Sequence, residues 1–247
     1  MQPKSHTLFH FTKNIDFLKD ILANGFWPRY CLEDMRWYSG NNTRSAYPIV
    51  CFCDIPLSRV DEHVKFYGNY GIGVTREWAR KKQLSPVIYL NEDTHQHQSL
   101  KKILLGNLKG NGYYQDAGSD INNIMSHIKP IEGEMIVNGE SIFKEFYQEN
   151  EWRYAISGLA TELKSKPWLY EIDYKNKTIL ESQNLKSKEY YSLKISPSDI
   201  RYIFVKSDSD IPNMVNFIQT NLDYYPSSDI KILLSRIMSF ETITRDI

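Results

Sequence analysis

Two stretches of this 247-residue chain carry the side chains best suited to chemistry. In the first, Leu8, Phe9 and Phe11 surround His10 before Thr12 and Lys13 follow, which reads as a short buried strand presenting an imidazole and a hydroxyl. In the second, KEFYQENEWRYAI, Glu149 and Glu151 immediately precede Trp152 and Arg153. An extended chain projects both carboxylates from one side. Carboxylates that close raise each other's pKa or recruit a cation, and Arg153 or Arg29 could supply one; an ordinary surface salt bridge is the plainer reading. His95 and His97 stand at i, i+2, about 200° apart on a helix, so a shared metal would need an irregular loop and a solvated face explains them better. Cys31, Cys51 and Cys53 form an odd set without a second C-x-C pair, which argues against disulfides and structural zinc, and Cys51 and Cys53 read as small apolar core residues rather than nucleophiles or metal ligands.

The elements that must position these groups can be read in order. Asn14 is a good N-cap, Ile15, Leu18, Ile21 and Leu22 share one helical face, and Gly25 falls where a left-handed C-cap belongs. CLEDMRWYSGNNTRSA then reads as a loop over the site. Tyr47 to Asp54, YPIVCFCD, is a continuous apolar run and reads as a central strand covered on both faces. A helix carrying Ser58, His63 and Tyr67 breaks at Gly68, Tyr70 flanks the turn, a strand follows over Gly71 to Thr75, and Thr75 caps a helix over Arg76 to Gln83. Pro86 to Leu90 is another strand. A helical insertion occupies about residues 92–130, interrupted by GNGYYQDAG. Trp168 to Tyr174, Thr178 to Leu180, Tyr190 to Ile195 and Tyr202 to Val205 read as strands, and about residues 208–247 as two amphipathic helices. The sum is one α+β domain over 1–247: mixed sheets with helices at the sides.

Composition bounds the function. At 41% hydrophobic and 24% charged the chain can bury a substantial core. Thirty basic and thirty acidic residues leave no net charge to draw it toward nucleic acid or an anionic membrane, although Arg29, Arg36 and Arg44 could form a local basic patch. No apolar run of membrane-spanning length or signal-peptide pattern is present, so a cytoplasmic protein is expected. Aromatics reach 13%, which serves core packing first and base or nicotinamide stacking second. No Walker loop, dinucleotide glycine pattern or H-E-x-x-H occurs.

The segments LFHFTKNIDFLKDILANGFWPRYCLED, YPIVCFCDIPLS with His63, YGNYGIG, REW, KPIEG, FYQENEWRY and DIRYIFV, in that order, resemble the AbiGi family of abortive phage resistance proteins. That resemblance implies bacterial defence and an antitoxin-like role beside a nucleotidyltransferase-like toxin. A more distant resemblance, carried by LFHFT with ILANGF, VCFCD with its following helix, and NEW entering a strand, is to ADP-ribosyltransferases of the poly(ADP-ribose) polymerase and diphtheria-toxin type. It implies a mixed split β-sheet core and NAD as substrate, without a metal. His10 would then bond the adenosine-side ribose, Thr12 assist nearby, Ser58 and Tyr67 hold the nicotinamide, Arg29, His63 and Tyr70 contribute to binding NAD, and Glu151 grip the nicotinamide ribose with His10 as catalytic partner. Cys51 stands where that family has tyrosine and Phe11 where it has glycine.

Three readings follow. The first is an NAD-dependent ADP-ribosyltransferase in phage defence, modifying a host or phage macromolecule. The second, nearly level with it, is a non-catalytic antitoxin that binds a toxin partner. The third is a nucleic-acid-binding regulator, which the neutral charge argues against.

Overall fold

A computed structural model describes residues 6–39, 43–108, 117–137, 140–156 and 163–246. The Ser-Gly-Asn-Asn turn beyond Ser39 and most of GNGYYQDAG lie outside the described residues. The architecture is mixed α+β, as expected. Its contacts divide the chain into two compact units, one of Met1–Phe26, Cys51–Leu84 and Leu193–Ile247, the other of Trp27–Val50 and Ser85–Ser192.

The first unit is built around the Thr7–Thr12 strand, which pairs antiparallel along its whole length with the Tyr70–Thr75 strand and, at Phe9, with Cys53. On the far side of Tyr70–Thr75 lies the antiparallel Ile200–Val205 strand, and beyond it the parallel Ile237–Ser239 strand. The helix after the histidine strand runs Ile15–Asn24 and is bounded as its sequence requires. Asn14 Oδ1 accepts from Asp16 N at 2.8 Å, and the Gly25 amide donates to Ile21 O at 2.8 Å from a backbone at φ +84°. A side chain at Gly25 would strike the Leu193 carbonyl, so this turn admits only glycine. Leu18, Ile21 and Leu22 are the buried face.

Glycine also decides the core of this unit. Register places Gly71 between Phe11 and Phe204, and Gly73 between Phe9 and Tyr202. The rings lie over the bare backbone: a Cβ on Gly71 would meet Phe11 at 2.5 Å, and one on Gly73 would meet Phe9 at 3.0 Å. Phe9, Phe11, Tyr202, Phe204 and Phe240 thereby form one aromatic cluster, with the Tyr202 and Phe204 ring planes only 8° from parallel.

In the second unit the Arg44–Val50 part of the Arg44–Cys53 strand pairs antiparallel with the Arg29–Asp34 and Leu169–Tyr170 strands. Residues 46–50 are buried in succession, which confirms a strand covered on both faces. Glu151–Ala155 pairs with Ser85–Pro86, Ile88–Leu90 runs parallel to Ile128–Pro130, and Glu132–Val137 forms a hairpin with Glu140–Glu145. The helices His95–Leu108 and Ala117–Met125 lie between the Ile88–Leu90 and Ile128–Pro130 strands in sequence.

Three local expectations are corrected. The segment after Tyr30 is a strand and a short helix, Arg36–Ser39, because its polar residues pair across the sheet with Arg44–Ile49 rather than facing solvent. Residues 168–195 hold two helices, Glu171–Lys175 and Lys177–Tyr191, in place of three strands, with Leu169–Tyr170 and a bridge at Leu193 extended: Asn176 Oδ1 caps Ile179 N at 3.3 Å, and short β-branched or aromatic runs cannot outweigh a capped, otherwise helix-favouring sequence. The C-terminal segment holds three helices with the Ile237–Ser239 strand among them, because Arg236 turns the chain by donating to the carbonyls of Pro197 (2.8 Å) and Ile200.

Gly71→Ala should cost about 1–3 kcal/mol, since its methyl group would push the buried Phe11 ring into the cluster. Gly106→Ala, in the exposed part of a helix with nothing within 4 Å of the added carbon, should instead stabilise by about 0.5–1 kcal/mol. Urea denaturation of the two variants beside wild type measures both signs.

Candidate functional site

The expected nucleotide-binding residues of the first unit lie on the Thr7–Thr12 strand, on the 3-10 turn and helix over residues 57–67, and at the start of the Tyr70–Thr75 strand. His10 is half-buried, and its Nδ1 lies 2.8 Å from Cys51 O. A carbonyl can only accept, so Nδ1 carries the proton and Nε2 is the basic nitrogen. The ring packs edge-on against Phe26 at 5.2 Å and against Phe52 at 5.6 Å, both of which also touch Trp78. Thr12 ends the strand opposite Tyr70, beneath the Gly68 backbone at φ +122°. Ser58 is exposed in a single turn of 3-10 helix. His63 lies 4.5 Å from Tyr67 ring to ring and edge-on to Phe11 at 5.6 Å, so both are tied to the aromatic core. Tyr70 donates to Asp210 Oδ2 at 3.3 Å; its hydroxyl is pushed up, by burial first and by Asp210 second.

Glu151 belongs to the second unit, as does Arg29, which is exposed and lies 4.3 Å over the Trp27 ring. Glu149 and Glu151 do converge, though not by strand alternation. Residues Phe146–Glu149 form a 3-10 turn, and Asn150 takes a left-handed conformation at φ 43° before the Glu151–Ala155 strand begins. This reversal aims both carboxylates at one ammonium: Lys129 Nζ donates to Glu149 Oε2 at 3.2 Å and to Glu151 Oε2 at 2.9 Å. Arg153, two residues along the strand and fully buried, donates through Nε to Glu151 Oε1 at 2.6 Å. Its Nη1 reaches Ser126 O at 2.8 Å, and its Nη2 reaches Glu33 Oε2 at 3.1 Å. Lys144 completes the group on Glu149 Oε1 at 2.5 Å. Glu33, Glu149 and Glu151 thus face Lys129, Lys144 and Arg153, charge for charge, with Lys129 also 4.6 Å over the Phe146 ring.

The sequence named Glu151, Glu149 and Arg153 but missed Lys129, Lys144 and Glu33 as their partners. Lys129 left a readable trace, a lone cation in the apolar run Ile128 to Ile131, which is the pattern of a lysine buried against acids. The expected solvated face at His95 and His97 holds for the exposed His95 alone. His97 is buried; its Nε2 donates to Trp37 O at 2.5 Å and its Nδ1 accepts from Asp93 N at 3.2 Å, because a helix start beneath Trp37 needs a group that both gives and takes a hydrogen bond. Arg36 and Arg44 of the suggested basic patch are met by Asp34 and Glu171.

Electrostatically this cluster is locked. Burial alone would raise the Glu149 carboxyl, but Lys129 and then Lys144 pull it below its ordinary value of 4.5. Burial alone would lower Lys129, yet Glu151, Glu33 and Glu149 together hold it above its ordinary 10.5. Nearby, burial and then Glu33 push the Cys31 thiol up to about 12, so it stays protonated and unreactive at neutral pH. Both ion-pair partners therefore hold their charges across the neutral range, whereas a general acid or base works best near pH 7.

With this geometry in view, the chain can be set beside known proteins. The family described as "Putative abortive phage resistance protein AbiGi, antitoxin" matches residues 24–206. A protein named "Abortive phage resistance protein AbiGi", from Lactococcus lactis subsp. cremoris, is 30% identical over 255 residues, covering 90% of this chain and 99% of the relative. No solved structure matches. These likenesses place the chain among abortive phage resistance proteins. It belongs to the AbiGi family. No helix among the described residues is long and apolar enough to cross a membrane.

Lys129→Met should cost about 3–5 kcal/mol at pH 7, because two buried carboxylates lose a shared cation. The depressed Glu149 carboxyl contributes stability that is present above pH 4.5 and lost as pH falls through its lower folded value. The raised Lys129 contributes stability that is present below pH 10.5 and lost only at higher pH. Urea midpoints should therefore fall below pH 4.5 in wild type, with a shallower acid limb in Lys129→Met.

Proposed function

We propose that this chain is the antitoxin-type member of a toxin–antitoxin abortive-infection pair and acts by binding rather than by turning over NAD. The observation that carries the reading is the engagement of Glu151. A carboxylate that stabilises an oxocarbenium-like ribose must face the sugar. Here Oε1 faces Arg153 and Oε2 faces Lys129, and the residue is 4% exposed. An NAD-dependent transferase resting on His10 and Glu151 would require Glu151 to exchange these two cations for a ribose. A binding protein requires nothing of the kind, since carboxylates and cations paired as these are hold their strands in register without doing chemistry. The family's description as an antitoxin supports the same reading.

Two measurements test it. Expression of the product of the adjacent reading frame should arrest bacterial growth, and co-expression of this chain should restore it. Purified protein incubated with labelled NAD should release nicotinamide at the rate of buffer alone. Release above that rate, lost in Glu151→Gln, would overturn the binding reading in favour of the enzyme.

A further inference from the structure

The hairpin of Glu132–Val137 and Glu140–Glu145 carries an arrangement that works against its own stability. Pairing sets Glu132 opposite Glu145 and Glu134 opposite Phe143, so these four residues share one face. Like charges directly opposite across an antiparallel pair repel. Phe143 is 67% exposed among them, and just beyond the strand Tyr147 is 59% exposed, its ring edge-on to Tyr89 at 5.6 Å. The other face is the anchored one: Gly133 packs where a Cβ would come within 3.2 Å of the Phe146 ring, and Lys144 reaches Glu149. The cation near the acidic face, Arg36, is 3.6 Å from Glu134 but is held closer by Asp34, whose Oδ2 accepts from its Nε at 2.7 Å.

An exposed aromatic centre with a charged rim is the layout of a protein-binding hot spot, and the sign of the rim selects the partner. We infer that this hairpin face docks a positively charged protein surface, with Phe143 as the anchor and Glu132, Glu134 and Glu145 as the steering rim. The inference rests on the antitoxin reading and names the surface by which a toxin would be held. A basic group of the partner lying between Glu132 and Glu145 would then offset their repulsion, where in the free chain the Gln148 amide donates to Glu145 at 3.3 Å.

The probe is the product of the adjacent reading frame, titrated calorimetrically with the full chain. Phe143→Ser and Glu145→Lys should each weaken binding at least about tenfold, Phe143→Tyr should retain it, and the wild-type affinity should fall as salt rises from about 50 to 300 mM. Glu145→Lys removes a like-charge pair, so its melting temperature should not fall; lost binding with undiminished stability separates docking from a structural role. If the hairpin variants bind and rescue growth as wild type does, the docking surface is overturned while the antitoxin reading stands. If wild type neither binds nor rescues, both fall. If Phe143→Ser instead converts a dimer to a monomer in sedimentation, the face belongs to a second copy of the chain and the inference is overturned.

Discussion

The side chain on which the candidate site depends is Arg153, a guanidinium wholly removed from water. A cation in that position must be neutralised and must have its donors met, or it costs several kcal/mol. Glu151, Glu33 and the Ser126 carbonyl meet that demand from three separate segments. Once Glu151 is drawn in, its second oxygen and Glu149 require Lys129, and Glu149 in turn takes Lys144 from the hairpin. The surrounding strands are thereby fixed relative to one another by charge. Such a network adds little net stability over a well-packed apolar core, but it tolerates few alternative registers.

The first unit is organised by shape instead. Two glycines on the Tyr70–Thr75 strand make a bare track on which rings from both neighbouring strands lie, while His10 points to the opposite face of its own strand, among Phe26 and Phe52. A strand that carries phenylalanines to one side and an imidazole to the other is committed on both faces. The half-buried His10 is therefore oriented by packing and by one carbonyl, which settles its tautomer.

What the sequence made legible followed distance along the chain. Asn14, Gly25, Thr75 and Gly68 each act on groups within a few residues, and each bounds its helix where local chemistry predicts. The buried character of Tyr47 to Val50, and of Phe52 and Cys53 beyond a half-buried Cys51, was likewise written in an uninterrupted apolar run. The distant members of this cluster were not legible, because Lys129 stands 22 positions from Glu151 and Glu33 stands 120 positions from Arg153, and each reaches its partner only through strand pairing and sheet packing. The helix over Lys177–Tyr191 was misread for a different reason: Thr178 to Leu180 looks strand-like in isolation, and the decisive signal, the Asn176 cap, sits just before it. The family itself was legible in the order of several short segments, whereas the distant likeness to ADP-ribosyltransferases assigned Glu151 a substrate without regard to its neighbours.

The left-handed Asn150 carries a consequence for how this protein can change over generations. Surface connections usually absorb insertions and deletions freely, since a longer loop adds little closure entropy. The turn over Phe146–Asn150 is different, because its length sets the phase at which the Glu151–Ala155 strand begins. One residue more or fewer, if the turn kept its form, would move Glu151 and Arg153 together to the opposite side of the sheet, leaving Lys129 facing Trp152. Point substitutions there can be gradual in effect, but a change in length is all or nothing, so this short turn should evolve under a fixed count of residues as a core strand does.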